Sequence, residues 1–206
     1  MSKWSKRFIS LGICCLLAAL CLTAYNLWSD ARAGKTADSA LQRLQQLQAA
    51  AALGAVSSGE DIPEYILHPE MQMPVQTIDG QDYIGTLEID CLGLSLPVIS
   101  QWSYPGLRIA PCRYAGSAYQ NNMVIAAHNY ASHFGRLKTL VPGDAVTFTD
   151  ADGNVFRYQV AEIEILPPYS TQEMTDGNWD LSLFTCTIGG QARVTVRCQR
   201  DQGAAR

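Results

Sequence analysis

The sequence predicts an all-β domain of about eight short strands behind an N-terminal transmembrane helix and a helical stalk. Three observations support this prediction: an uncharged apolar run over residues 8–28, a stretch of helix formers over residues 36–54, and strand-like runs from residue 83 onward. We therefore divide the 206-residue chain into four segments. They are a tip and anchor at 1–28, a stalk and linker at 29–82, the β domain at 83–200 and a C-terminal tail at 201–206.

The apolar run is long enough to cross about 30 Å of hydrocarbon as a helix. Basic residues precede it at Lys3, Lys6 and Arg7, whereas charges of both signs follow it. The positive-inside rule therefore predicts a single-pass membrane protein with a cytoplasmic N-terminus and everything after Trp28 outside. A cleaved signal peptide is the alternative, because residues 31–33 (ARA) resemble a cleavage site. The run exceeds the usual signal core of about 7–15 residues, which favours an uncleaved anchor.

Between the anchor and the β domain the sequence predicts a helix that is either a spacer or packed on the domain, followed by a linker. Residues 36–54 are rich in Ala, Gln and Leu, with leucines at three-residue spacing, and we expect a short amphipathic helix that ends at Gly54. Residues 57–82 contain three prolines and show little periodicity. That composition is typical of a linker or lid segment.

The β domain is predicted from runs with a two-residue period that are rich in β-branched and aromatic side chains. Turn signals such as Pro142-Gly143 and Asp152-Gly153 separate these runs. This pattern favours a sandwich or a closed barrel. The strand candidates are residues 83–89, 94–100, 122–128, 145–150, 154–166, 181–187 and 192–199.

Composition and cysteine count narrow the class of protein. The net charge is −4 and 48% of the residues are hydrophobic, which argues against nucleic-acid binding and against a disordered chain. Four of the seven cysteines lie outside the apolar run, at Cys91, Cys112, Cys186 and Cys198. They lack the CxxC spacing of a zinc site. Disulfides, for instance between Cys112 and Cys198, and a free reactive thiol both remain open.

The candidate chemistry centres on two strand ends. Cys186 ends the run LSLFTC and His128 ends the run MVIAAH. A cysteine nucleophile needs an imidazole nearby in space, and His128 can supply it. Arg193 opens the following strand and stays protonated, so that it can bind a carbonyl oxygen and stabilise an oxyanion. Arg197, four residues on, lies on the same face of a regular strand.

Two other histidines are expected to have no catalytic role. His133 is the other candidate base, but it falls in a polar loop, where we expect it to be exposed or hydrogen-bonded to the loop. His68 falls in the linker, where a surface position is expected.

Three short strings together resemble the sortases, the membrane-anchored cysteine transpeptidases of Gram-positive bacteria. They are AAHNY around His128, SLFTC at 182–186 and ARVTVR around Arg193. Ser182 departs from the Thr that opens the family's Thr-Leu-x-Thr-Cys motif but keeps a hydroxyl group. The likeness extends over residues 83–200. It includes YIGTLEI followed by LPV at the start of the domain, and HFGRLKTLVPGDAV after the histidine.

The resemblance implies a closed sortase-type β-barrel of about eight strands with short helices. It also implies that Cys186 is the nucleophile, His128 the acid/base and Arg193 the carbonyl clamp. We favour Arg193 over Arg197, which we expect to form a salt bridge or to face water. The substrate implied is a sorting signal such as Leu-Pro-x-Thr-Gly, cut between Thr and Gly through a thioester. The groove wall is expected from the loops after Tyr104 and around residues 167–179.

The implied partners are surface proteins with a C-terminal sorting signal and an amine acceptor, either a peptidoglycan precursor or a pilin. The catalytic domain would lie outside the cell membrane. We expect no cofactor and no metal ion, because Glu162 and Glu164 alternate as on the wet face of a strand, even though they and Asp150 are conceivable calcium ligands. The chain lacks an Asp-Pro-aromatic tripeptide, which argues against a pilus polymerase and leaves the subclass open.

Two alternatives to this function are retained. One is a catalytically inactive sortase-like binding module, in which Cys186 is a structural remnant. The other is a different exported cysteine peptidase or transpeptidase, although AAHNYASHFGRL does not supply the tight histidine, glycine and cysteine motif of the L,D-transpeptidases.

Overall fold

A computed structural model describes residues 3–55 and 62–201. The predicted anchor and stalk form one continuous helix, α1, over Lys3–Ala55. Its apolar N-terminal part is exposed, and it is long and apolar enough to cross a membrane, with a mean hydropathy of 2.2. Residues 202–206 of the predicted tail and 56–61 of the predicted linker lie outside the described residues.

The second half of α1 packs along the β domain. One face of the helix is buried, at positions spaced three or four residues apart as a helical stripe requires. These buried residues are Ala33, Ala37, Ala40, Leu44 and Gln48. At the far end of the stripe the Gln48 side-chain amide donates to the backbone oxygen of Asp150 at 2.7 Å. Of the two alternatives for the stalk, the helix packed on the domain is the one that the structure shows.

The β domain contains nine strands in the described part of the chain. Three short α-helices accompany them, α2 (Glu64–Leu67), α3 (Tyr104–Leu107) and α4 (Thr171–Thr175), together with two 3-10 helices at Asp90–Leu92 and Leu137–Thr139. The strands are β1 (Gln76–Ile78), β2 (Gln81–Ile89), β3 (Leu94–Ile99), β4 (Cys112–Ala115), β5 (Met123–Ala126), β6 (Ala145–Asp150), β7 (Val155–Leu166), β8 (Leu181–Cys186) and β9 (Arg193–Arg200).

The sheet closes into a barrel. Its strand order is β1-β2-β3-β4-β5-β8-β9-β7-β6, and an additional pairing of β2 with β6 joins the two sides. Strands β2 to β9 thus form a closed eight-stranded barrel, and β1 is a short addition to β2. The predicted fold class is confirmed, and all the strand candidates are strands.

The sheet begins at Gln76, earlier than the predicted domain start at residue 83. Asp79 and Gly80 have φ of 51° and 77° and join β1 to β2 in a two-residue hairpin. Positive φ at both central positions is the geometry that an Asp-Gly pair favours. The Asp-Gly dipeptide within the predicted linker was therefore a hairpin signal.

Two apolar clusters cover the two faces of the strands around β8. One fills the barrel and includes Leu181 and Leu183, whereas the other lies outside the barrel and includes Phe184. The outer cluster also contains Leu44 from α1 and Met174 from α4. Because side chains alternate along a strand, Cys186 lies on the outer face with Phe184.

Candidate active site

Cys186 and Arg193 occupy the two strand ends next to the β8–β9 turn. They are directly opposite each other in the antiparallel register. Opposite residues in such a ladder have Cα atoms about 4.5–5.5 Å apart and side chains on the same face. The turn is held by Thr187, whose Oγ1 accepts from the Ala192 amide at 3.0 Å. Backbone pairing alone therefore places a thiol beside a guanidinium.

The Arg193 side chain is partly committed to this turn. Its Nη1 donates to the backbone oxygens of Gly190 at 3.2 Å and Ala192 at 3.1 Å. The Nε and Nη2 groups have no hydrogen-bond partner among residues 3–55 and 62–201. These remaining donors are free to bind an acceptor oxygen in the groove.

His128 lies near Cys186 because it follows β5, which pairs with β8 in parallel. Ala126 is aligned with Phe184, and the Ala127 amide donates to the Phe184 oxygen at 3.1 Å. His128 and Cys186 each come two residues after this aligned pair, and neighbouring strands lie about 4.8 Å apart. The structure thus brings the three predicted site residues to one groove, which has a volume of about 340 Å³ and is lined by His128, Cys186 and Arg193.

Aromatic side chains form one wall of this groove. Tyr114 makes an edge contact with Phe184 at 5.3 Å between ring centroids, and Trp102 contacts Tyr114 at 6.0 Å and Tyr104 at 4.9 Å. Three further lining residues, Pro168, Thr171 and Met174, come from the loop and helix after β7. The sequence predicted that the segments after Tyr104 and around 167–179 would form the groove wall, but it did not predict that Trp102 and Tyr114 would line it.

The cysteines differ in their surroundings, and none forms a disulfide. Cys112 and Cys198 are fully buried, and burial raises their pKa values to about 11 and about 12. The alternative that these two form a disulfide is therefore wrong, because each is enclosed separately as a small apolar side chain. Cys186 is half-buried in the groove.

His128 lies in an environment that favours the neutral ring. Burial and the positive charge of Arg108 both lower its pKa. A neutral imidazole can accept a proton from a thiol or an amine. The ring also packs against Tyr130, with centroids 5.0 Å apart.

Arg197 is not in the groove. Its side chain is buried, and its Nε donates to Glu164 at 2.6 Å while its Nη1 donates to the Ser182 hydroxyl at 2.9 Å. Its Nη groups also donate to the backbone oxygens of Met174 and Glu173 in α4. The salt bridge that we considered is confirmed and the solvent-facing alternative is wrong, because α4 covers this part of β9.

The two remaining histidines differ from each other. His68 is exposed as expected, with Nδ1 3.6 Å from Glu70. His133 is fully buried and neither ring nitrogen has a hydrogen-bond partner in the described chain, so its expected exposed or hydrogen-bonded position is wrong. The ring packs beside Tyr130, and burial lowers its pKa to about 4. The loop can enclose it because Gly135 passes close to the backbone, where a Cβ would be 2.7 Å from the Tyr130 oxygen.

Comparisons with known proteins agree with this geometry. The family model described as Sortase domain matches residues 87–201. Sortase C1 from Streptococcus suis is 24% identical, with a TM-score of 0.52 over 69% of this chain and 80% of that one. Sortase D5 from Clostridium perfringens is 19% identical, with a TM-score of 0.58 over 81% and 99% of the two chains. A lid mutant of sortase A from Corynebacterium diphtheriae is 21% identical, with a TM-score of 0.55 over 82% and 95%. No sequence among curated proteins matches the chain.

The structure is thus a closed β-barrel with a cysteine, a histidine and an arginine around one groove on its outer face. The chain belongs to the sortase family, because the family model covers more than half of it. Members of this family are cysteine transpeptidases that act on proteins with sorting signals. The similar structures include sortases of classes A, C and D, so the subclass stays open.

Proposed function

We propose that this protein is an active cysteine transpeptidase that cleaves an LPxTG-like sorting signal and transfers the substrate protein to an amine acceptor of the cell wall. The observation that carries the proposal is the position of His128, Cys186 and Arg193 around one groove. The site residues are proposed in the roles that follow.

Acylation begins when the Cys186 Sγ attacks the scissile carbonyl carbon. His128 takes the thiol proton, and the free N–H groups of Arg193 donate to the oxyanion that develops on the carbonyl oxygen. The protonated His128 then gives its proton to the leaving amine. The C–N bond breaks and a thioester to Cys186 remains.

Transfer reverses the proton movements. The acceptor amine attacks the thioester carbonyl and His128 takes a proton from the amine nitrogen. The C–S bond breaks, an amide bond to the acceptor forms, and the Cys186 thiolate recovers its proton from His128. The same arginine holds the oxyanion in both halves of the reaction.

The apolar part of α1 supports a single-pass anchor with a cytoplasmic N-terminus and an extracellular barrel. The exposed apolar face would otherwise stand in water without a covering surface. The proposed partners are surface proteins with a C-terminal sorting signal, together with a peptidoglycan precursor or a pilin as the acceptor. Both would meet the groove outside the membrane.

The test uses the full chain in detergent micelles with a panel of fluorogenic sorting-signal peptides and an added amine acceptor. We expect cleavage and transfer with the wild type and with Cys91→Ala, an exposed cysteine outside the groove, but not with Cys186→Ala. Intact-mass measurement should detect the thioester. If no peptide is cleaved and Cys186 is alkylated no faster than Cys91, the chain is a binding module. If cleavage occurs without transfer, it is a peptidase.

A further inference from the structure

Helix α1 makes direct contact with the loop that carries His128. We call residues 128–135 the histidine loop. The carboxylate of Asp30 accepts from the backbone amides of Ala131 at 3.1 Å and Ser132 at 3.2 Å, and from the Ser132 hydroxyl. The Ser29 hydroxyl lies 3.1 Å from the hydroxyl of Tyr130. Two consecutive residues of the helix therefore hold three consecutive residues of the loop.

Small residues allow the helix to approach this closely. A Cβ at Gly34 would lie 3.1 Å from the Ser132 Cβ, and Ala33 is almost fully buried. Partial burial disfavours the charged form of Asp30, but hydrogen bonds from Ser132 and Ala131 outweigh it and lower the pKa of Asp30. The carboxylate is therefore charged at neutral pH, and its hydrogen bonds to the loop are charge-assisted.

The contact is transmitted to His128 over a short path. Tyr130 packs on the His128 ring and also on the His133 ring, at 5.0 and 5.5 Å between centroids. The Phe134 amide donates to the His128 backbone oxygen at 3.2 Å, which closes the loop on itself. These contacts connect the backbone that Asp30 holds to the His128 ring and to the His128 backbone.

This attachment lies where the helix leaves its apolar segment. Asp30 is two residues beyond Trp28, the last residue of the uncharged run. His128 also lines a second cavity of about 660 Å³ that Trp28 and Arg32 border from α1. The histidine therefore stands between the groove with Cys186 and the base of the anchor.

We propose that Asp30 is a positioning residue for His128, so that the segment of α1 next to the membrane anchor is part of the active-site framework. The inference rests on the catalytic role proposed for His128. It assigns to α1 a second task besides attachment: it sets the distance and tilt of the imidazole relative to Cys186. A misplacement of about 1 Å in such a group is enough to cost up to about 100-fold in rate.

The test compares Asp30→Ala and Asp30→Asn with Asp38→Ala in the full chain in lipid nanodiscs. Asp38 lies on the same helix, is exposed, and has no hydrogen-bond or ion-pair partner in the described chain. We expect Asp30→Ala to lower kcat about tenfold with KM nearly unchanged, and Asp30→Asn to recover part of the loss because its amide oxygen still accepts hydrogen bonds.

Two spectroscopic readouts separate positioning from general stabilisation. In Asp30→Ala, amide exchange at Ala131 and Ser132 should accelerate, and the pKa of His128 should rise because its ring becomes more solvated. Several charged or titratable groups near His128 remain in the variant: Arg32 on α1, Arg108 after α3, Tyr130 and His133 in the loop, and Cys186 and Arg193 across the groove. Asp38→Ala should behave as wild type in every measurement.

The proposal is overturned if Asp30→Ala keeps wild-type kcat, or if kcat falls together with the melting temperature while the His128 titration is unchanged. If the wild type shows no transpeptidation, the proposed function fails. The amide exchange and the His128 titration then still decide whether Asp30 positions the loop.

Discussion

Cys186 and Arg193 are opposite partners in the ladder between β8 and β9, which are joined by the turn 187–192. Their separation is therefore set by sheet geometry and not by flexible side chains alone. Two glycines with positive φ, Gly189 and Gly190, shape the turn between them. This pairing keeps the Arg193 guanidinium next to the Cys186 thiol, and the first prediction depends on that proximity.

Replacing Arg193 by lysine should reduce turnover about 100-fold while leaving the fold intact. Lysine keeps the charge, but it loses the planar fork that donates to the turn and to an oxyanion at the same time. Steady-state kinetics and a thermal melt of the same preparation check this. Arg157→Lys, an exposed arginine on β7, is the matched control and should change neither. Wild-type turnover in Arg193→Lys would exclude the clamp role.

Replacing Trp102 by alanine should raise KM for a sorting-signal peptide about tenfold with a smaller effect on kcat. Trp102 contacts Tyr104 and Tyr114 in the groove wall, so its loss removes apolar contact surface for the peptide and not a reacting group. Trp179→Ala, which does not line the groove, is the control. An unchanged KM would show that the peptide does not touch this wall.

Replacing Arg197 by methionine should lower the free energy of unfolding by about 3 kcal/mol. The change leaves the Glu164 carboxylate, the Ser182 hydroxyl and two α4 backbone oxygens without their donor. Urea denaturation measures the loss, with Arg157→Met as the control. A variant as stable as the wild type would mean that water replaces these hydrogen bonds.

His133 should make the protein less stable as the pH falls. An ordinary histidine in the unfolded chain takes up its proton near pH 6.5, whereas the buried ring of His133 does so only near pH 4. Since the unfolded state binds the proton first, the free energy of unfolding should fall by about 3 kcal/mol between these two values.

The variant His133→Phe isolates this contribution, because it fills a similar space without a titrating group. Its stability should decline less than that of the wild type between pH 6.5 and pH 4, as measured by urea denaturation at several pH values. Parallel pH profiles of the two proteins would show that His133 is solvated when it becomes protonated.

The sequence predicted the strands where the signal was local, and it placed His128 and Cys186 near strand ends that the structure brings to one groove. The period-two run AVTFTD gave β6 with the observed bounds. Strands β1 (QTI) and β4 (CRYA) were missed because they are short and interrupted by polar residues, whereas the equally short β5 lies in the apolar run MVIA. Their assignment depends on the neighbouring strands that pair with them.

The errors concerned contacts between distant parts of the chain. His133 is buried in a loop held by Ser29 and Asp30, which lie about a hundred residues earlier in the sequence. Arg197 is satisfied by groups from β7, β8 and α4 together. Neither arrangement has a local pattern, because each is created only when the elements pack.

In the proposed anchored arrangement, the continuity of α1 fixes the height of the β domain above the bilayer. At 1.5 Å per residue, the contact at Asp30 lies about 3 Å above Trp28 along the helix axis, and the contact at Gln48 lies about 30 Å above it. A domain on a flexible linker would lie at many different distances from the bilayer, whereas this β domain is bound to α1 from Asp30 to Gln48. Scissile bonds held close to the bilayer would then be within reach, and those presented far above it would be missed.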